Sequence, residues 1–503
     1  MTRFGALPRP SNVLSWGPKI GPTGSLPRPL VPYQAYTTKA SKALPAAQPT
    51  PLTVYVHWPY CESKCTYCNF NKYVDPHPPV DRLADCLVTE LRTSLAAHPG
   101  RPVQSVYFGG GTPSLAPPNV IERLLTTIAT MNPFDRSQAE VTLEANPTSL
   151  ELGKMRAFKH LGVNRLSLGI QTLDPSALQL LGRNHSVADA LRALGTGQKL
   201  FPNNVTFDLI YGRPHQTVNQ WQNELRLALE CADSHLSLYE LTYKRGTPLF
   251  KALESGKVER LSDNTLSAMY ELSIEASTRA IQSKELCYCP IQVCREYDLY
   301  HYEVSNFARC ESVPSQIFPR HLVANDPTSA DIIRSFRSQG YHNASYWRGA
   351  DYIGIGPGAH GRITDHHTGQ RLRTYRILNP PEWMQQCQSI GHGLRKTQPL
   401  TAEEIREELL VFSLRMKEGL SDYRLAQYTT GGQTLLEWLN REQVELFIES
   451  EHMELVEAPV FDQCAKDAST AICSSPLLSL SPTLRPTEKG LAVIDSILPR
   501  LIQ

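Results

Sequence analysis

Six short runs of β-branched and aromatic residues, each followed by a turn or a polar cluster, recur between residues 53 and 285. They are Val54–Trp58, Val103–Phe108, Glu140–Glu144, Arg165–Gln171, Val205–Tyr211 and Leu236–Leu241. Runs of this length and composition are strands. Between them lie stretches of helical periodicity at Val80–Ala97, Pro118–Met131, Ser186–Leu200, Val218–Cys231 and Asp263–Ser283. Repeated strand-helix units demand parallel strands joined by right-handed crossovers. Six units fit a partial (β/α)6 barrel, with a doubly wound open sheet as the alternative. Either way the chemistry belongs beyond the carboxyl ends of the strands.

At the end of the first strand stands Cys61-Glu-Ser-Lys-Cys65-Thr-Tyr-Cys68-Asn-Phe70. A loop this short can gather three thiolates around one metal centre. A structural zinc takes four protein ligands, and a [4Fe-4S] cluster usually takes four thiolates. Three cysteines therefore point to a [4Fe-4S] cluster with one iron left open. The competing readings are a disulfide, disfavoured by an odd thiol, and a zinc knuckle with His57 as fourth ligand.

The other strand ends carry polar groups. Gly109-Gly110-Gly111-Thr112-Pro113 closes the second strand, and without Cβ atoms such a backbone can approach a ligand closely. Glu144, Gln171 and Asp208 sit at or near strand ends, and Arg183 follows a short helix. Taken singly, each is as well explained as a cap or a surface residue. Four such groups on one rim suggest a site.

The cysteine spacing, the aromatic Tyr67 before the third cysteine and the Asn-Phe after it resemble the radical S-adenosylmethionine (SAM) superfamily. Tyr55-Val-His-Trp-Pro-Tyr-Cys61 and Cys68-Asn-Phe70 resemble its branch of HemW-like haem chaperones and anaerobic coproporphyrinogen oxidases. The resemblance implies SAM on the open iron. It implies that Tyr55, Tyr67, Gly110, Gly111, Thr112, Glu144, Gln171, Arg183 and Asp208 surround SAM. The oxidases carry a further cysteine two residues after the third ligand. Phe70 stands there instead, as in the HemW branch.

The remaining chain divides by composition. Residues 1–52 contain no acidic residue but hold Arg3, Arg9, Lys19, Arg28, Lys39 and Lys42. That is the balance of a mitochondrial presequence, although the prolines interrupt any amphipathic helix. The eukaryotic member of the resembling family is mitochondrial, which agrees. Residues 286–345 form an irregular insertion. Within it Cys287, Cys289 and Cys294 match no common zinc or cluster spacing. His342-Asn343-Ala-Ser-Tyr346-Trp347 opens a region, 342–400, that the resemblance associates with haem.

Haem wants an axial ligand and flat apolar packing. A core histidine among packed aromatics is the plain alternative for His342. His360 is a second, weaker candidate ligand. The segment Gly354–Gly361 superficially matches G-x-G-x-x-G but precedes no clear helix, so a glycine turn is the better reading.

Residues 401–503 contain helical patterns, a capping box at Thr401–Glu404 and a polar, β-ribbon-like stretch at Val460–Pro482. They suggest a small winged-helix-like module. The formal charge of +1 and the absence of a basic face argue against nucleic acid. No apolar run is long enough to span a bilayer. Twelve cysteines in 503 residues are too sparse for a secreted disulfide scaffold.

The expected fold is therefore α/β: a partial (β/α)6 radical SAM barrel over 53–285, followed by a small, mainly helical, winged-helix-like C-terminal domain. The expected function is a haem chaperone carrying a SAM-ligated [4Fe-4S] cluster and passing haem to apo-haemoproteins. Peripheral membrane contact and homodimerisation stay open. The alternatives are an oxygen-independent coproporphyrinogen III oxidase and a radical enzyme on another substrate.

Overall fold

Strand order separates the two α/β alternatives. In this computed structural model β1 (Leu52–Trp58) is followed by the paired two-residue strands β2 (Tyr60–Cys61) and β3 (Tyr73–Val74). Then come β4 (Val103–Gly110), β5 (Glu140–Ala145), β6 (Arg165–Gln171), β7 (Val205–Tyr211) and β8 (His235–Glu240). β1 and β4 to β8 lie side by side in chain order, all parallel. A doubly wound sheet reverses its order at a switch point; these six strands do not, as expected of a partial barrel. The structure describes residues 50–282, 299–309, 338–365, 368–428, 432–460 and 480–502. The proposed presequence, except its last three residues, and the Cys287, Cys289 and Cys294 group lie outside them.

The alternation along each strand places the core. Val54, Val106, Leu143, Leu168 and Leu209 are fully buried and belong to one hydrophobic cluster with the helices. Among those helices, α1 (Val80–Ala96) presents Leu83, Leu87, Leu91 and Leu95 at four-residue spacing. Truncating any such leucine to alanine costs about 2–5 kcal/mol. The intervening residues are polar or aromatic: Tyr55, Tyr107, Glu144 and Asp208. They therefore share the opposite, concave face. The helices α2 (Pro118–Met131), α3 (Ser149–His160), α4 (Pro175–Leu180), α5 (Val187–Leu200), α6 (Val218–Cys231), α7 (Pro248–Glu254) and α8 (Asp263–Gln282) complete the alternation. Reciprocal capping boxes start α5 at Ser186 and α6 at Thr217. α3 carries a weak apolar pattern around Gly153 and was not apparent from periodicity.

The sheet extends past the barrel on both sides. A hairpin of β9 (Leu299–Glu303) and β10 (Asn306–Arg309) adds antiparallel to β8. On the other edge β11 (Tyr352–Ile355) pairs parallel with β1. It is continued antiparallel by β12 (His360–Thr364), β13 (Arg371–Arg376) and β14 (Leu394–Pro399), giving twelve strands. The glycine-rich stretch is the turn from β11 into β12.

After residue 400 the chain builds its own core around Leu410, Leu414, Leu425, Leu439 and Leu501. Its first helix, Ala402–Ser413, opens with the Thr401–Glu404 capping box. The short strand β15 (Leu420–Ser421), β16 (Met453–Pro459) and β17 (Leu480–Pro486) form a three-stranded antiparallel sheet in the order β15-β17-β16. Helices followed by such a sheet make the expected winged arrangement. Residues 461–479, most of the stretch expected to be ribbon-like at Val460–Pro482, lie outside the described ones; β17 begins within that stretch at Leu480. The buried triad Arg348–Glu418–Arg424 joins this module to the helix Tyr341–Trp347, at 2.9 Å on each side.

Candidate functional site

The cysteine loop leaves β1 through Pro59 and folds over the carboxyl ends of the parallel strands. Backbone bonds hold both of its ends. Gly111 N donates to Trp58 O at 2.6 Å and Thr112 N to Tyr60 O at 2.9 Å. Thr66 N donates to Leu181 O at 3.1 Å, and the Thr66 hydroxyl donates to Leu180 O at 2.7 Å. These contacts explain two glycines. Gly111 would drive a Cβ to 2.6 Å from Tyr60 O, and Gly182, at φ +67°, packs on Thr66.

Cys61, Cys65 and Cys68 line one cleft with Tyr67, Gly110, Gly111, Thr112, Glu144, Gln171, Arg183 and Asp208. Of the predicted SAM residues only Tyr55 lies outside that lining, one layer deeper on the concave face. Two of the three sulfurs receive donors. Thr112 Oγ1 donates to Cys61 Sγ at 3.3 Å, and Arg183 Nη1 donates to Cys65 Sγ at 3.2 Å. Burial pushes the Cys61 thiol up; the Thr112 bond and the Lys72 charge oppose it. A metal held by Cys61 would take the place of that proton, since a coordinating thiol is deprotonated. His57 is committed elsewhere: its Nδ1 meets Tyr55 Oη at 3.1 Å and its Nε2 meets Asn71 O at 2.7 Å. It does not serve as a fourth ligand in this arrangement.

Asn146, two residues beyond Glu144, is the organiser that sequence reasoning did not single out. Its Oδ1 accepts from Arg183 Nη2 at 2.7 Å, and its Nδ2 donates to Thr112 Oγ1 at 3.3 Å. Arg183 Nη2 also donates to Gly169 O at 2.7 Å. The rim is thus one network, Thr112–Asn146–Arg183, with the sulfurs on one side and β6 on the other. Gln171 has φ +73°, and the β6–β7 register shifts between Leu168 and Gln171. A bulge with a non-glycine residue in the left-handed region is strained backbone of the kind found at working sites.

Two carboxyls face the cleft from below. Glu144 accepts from Tyr107 Oη at 2.8 Å. Burial pushes its pKa up to about 7, with Asp208 adding to the rise and the bonds from Tyr107 and Gly110 opposing it. Asp208 is raised to about 6 by burial, against a bond from Ser237 and the charges of Arg165 and Arg183. Such a site accommodates a cation, which would favour both ionised forms.

His342 lies elsewhere. It is 1% exposed on the helix Tyr341–Trp347, stacked on Tyr107 with ring centroids 5.1 Å apart. Its Nδ1 meets Ser105 Oγ at 2.7 Å, its Nε2 meets the Tyr346 hydroxyl, and its backbone N donates to Glu140 at 3.0 Å. Tyr346 packs on Tyr352, and Trp347 meets Phe412 edge-on with Arg415 over its face. Asn343 is half-buried. His360 is exposed against Tyr375. The structure therefore brings the cysteines and the rim residues together and keeps the His342 group apart, behind Tyr107.

Residues 55–228 match the Radical SAM superfamily. A mouse relative, "Radical S-adenosyl methionine domain-containing protein 1, mitochondrial", is 37% identical over 91% of this chain and 89% of its own length. The chain belongs to the radical SAM superfamily. The "Heme chaperone HemW" of Escherichia coli is 30% identical over 75% of the chain and 86% of that protein. Among solved structures, coproporphyrinogen III oxidase from Escherichia coli matches with a TM-score of 0.65 over 90% of both chains at 20% identity, a likeness of fold. Radical SAM membership implies a [4Fe-4S] cluster and SAM, and the donor set fits both. Three thiols share one cleft, two of their sulfurs receive hydrogen bonds, and the adjoining rim is polar.

Proposed function

We propose that this chain is a mitochondrial haem chaperone. It holds a [4Fe-4S] cluster on Cys61, Cys65 and Cys68, with SAM on the fourth iron, and passes haem to apo-haemoproteins of the respiratory chain. The observation that carries the cluster and SAM assignment is the cleft itself, where two of three cysteine sulfurs take hydrogen bonds from a network that continues into the rim. When bound, the cluster supplies an iron with an open coordination position and a source of single electrons. Thr112, Asn146 and Arg183 hold the sulfurs and the rim in register. Glu144 and Asp208 favour a cationic ligand, and Tyr55, Tyr67, Gly110, Gly111 and Gln171 complete its surroundings.

The name of the Escherichia coli relative supports the haem assignment, as does Phe70 in the place of the oxidases' additional cysteine. Phe70 is 67% exposed at the mouth of the cleft. His342, Asn343, Tyr346 and Trp347 are the proposed haem contacts. With His342 sealed, ligation through it requires the Tyr341–Trp347 helix to move. The mitochondrial names of the mouse, cattle and zebrafish relatives support the location. Among the described residues no helix is long and apolar enough to cross a membrane.

Anoxic reconstitution followed by two assays tests the proposal. Haem titration is expected to give a Soret band that His342→Ala weakens. Coproporphyrinogen III with SAM and reductant is expected to yield no protoporphyrinogen; its formation would establish the oxidase reading instead.

A further inference from the structure

The turn from β11 into β12 closes around Asn71, three residues past Cys68. Asn71 Nδ2 donates to Pro357 O at 2.9 Å and to Leu378 O at 3.0 Å. Its Oδ1 accepts from Tyr73 Oη at 3.2 Å, and its backbone carbonyl meets His57 Nε2 at 2.7 Å. Both amide donors and the amide acceptor are engaged, and both donors reach chain about three hundred residues away.

The turn is shaped for this contact. A Cβ on Gly358 (φ +82°) would stand 2.4 Å from Asn71 Nδ2, and one on Gly356 (φ +95°) would stand 2.4 Å from His57 O. The turn is anchored from behind by Glu90 of α1, which is fully buried. Glu90 accepts from Gly356 N at 2.8 Å, Gly393 N at 2.7 Å and Trp383 Nε1 at 3.2 Å, with Arg376 at 3.3 Å. A fully satisfied buried carboxylate makes a rigid anchor, because losing any partner leaves charge uncompensated.

We propose that Asn71 is a positioning residue for the cysteine loop. Through the Gly356–Gly358 turn it ties the exit of that loop to Glu90. The sulfurs thereby keep the arrangement in which Cys61, Cys65 and Cys68 would hold a cluster beside the rim. Two residues separate Asn71 from Cys68, so a shift at one moves the other. The inference rests on the cluster-and-SAM reading of the cleft and not on the haem reading.

The test uses the full chain, reconstituted anoxically with iron and sulfide. Asn71→Asp keeps the shape but turns an acceptor toward two carbonyls; Asn71→Ala removes the contact; Tyr73→Phe removes one donor. Both Asn71 variants are expected to bind SAM at least ten-fold more weakly and to lose most of the SAM-induced change in the electron paramagnetic resonance spectrum of the reduced cluster. Tyr73→Phe is expected to stay within about three-fold. SAM affinity and spectra within two-fold of wild type in both Asn71 variants would overturn the proposal. So would an equal loss in Leu83→Ala, a core variant away from the turn, because that would mark general destabilisation. A wild-type chain that takes up no iron would overturn the reading of the cleft and the latch with it.

Discussion

The cleft over the cysteine loop and the helix around His342 carry the two most distinctive motifs of the chain, and they are built in opposite ways. In the cleft, functional groups bond one another along the rim and leave their ligand side open. Around His342, each ring nitrogen already has a protein partner, the ring is stacked, and exposure has fallen to 1%. The first region is preorganised for a ligand; the second is preorganised for itself. A histidine motif of the same apparent strength as a cysteine motif can therefore be a closed element of the core that has to open before it ligates anything.

Four substitutions break or sharpen this contrast. The largest effect belongs to the open region: Cys65→Ala is expected to abolish cluster assembly, read as iron and sulfide per chain falling to background, with the fold retained. Next is the closed region, where His342→Ala removes a stacked ring and leaves Ser105 and Tyr346 without their partner. It should cost about 2–4 kcal/mol in denaturant unfolding. A His342→Ala chain as stable as wild type would mean that the helix is not packed as described.

Third is the pH response of the cleft. The Glu144 pKa stands at about 7 in the fold against an ordinary 4.5, so the folded chain holds an extra proton between those values. Its stabilising contribution is complete at low pH and is lost as pH rises through about 7. Melting temperature should fall between pH 5 and pH 8, and Glu144→Gln should flatten part of that fall, leaving the share due to Asp208. A slope unchanged by the substitution would remove Glu144 as its source. The smallest effect is Thr112→Val, which withdraws a donor from Cys61. Hydrogen bonds to sulfur favour the reduced cluster, so the midpoint potential should become more negative in a spectroscopic redox titration.

Legibility followed locality. The six barrel strands were apparent because each is a short run of β-branched and aromatic residues closed by a turn or a polar cluster. β13 and β14 were not apparent: Arg371-Leu-Arg-Thr-Tyr-Arg376 and Leu394-Arg-Lys-Thr-Gln-Pro399 are rich in cations and carry no apolar run that would mark a strand. In the site, residues at strand ends could be named from position alone, as with Glu144 and Asp208. Asn146 was inconspicuous beside Glu144, and Asn71 had no signal at all, since its partners Pro357 and Leu378 are distant in sequence. Tyr107 looked like an ordinary strand aromatic, yet it touches both Glu144 and His342 and forms the wall between the two regions.

The amino-acid order by itself determined the alternation, the side of the sheet on which chemistry would gather and the three sulfurs, because each follows from near-neighbour periodicity and spacing. Tertiary structure alone decided that the glycine turn grips Asn71, that Arg183 reaches Cys65 and that His342 is enclosed. Burial and hydrogen-bond partnership are properties of chain segments meeting across hundreds of residues, and only the folded chain brings those segments together.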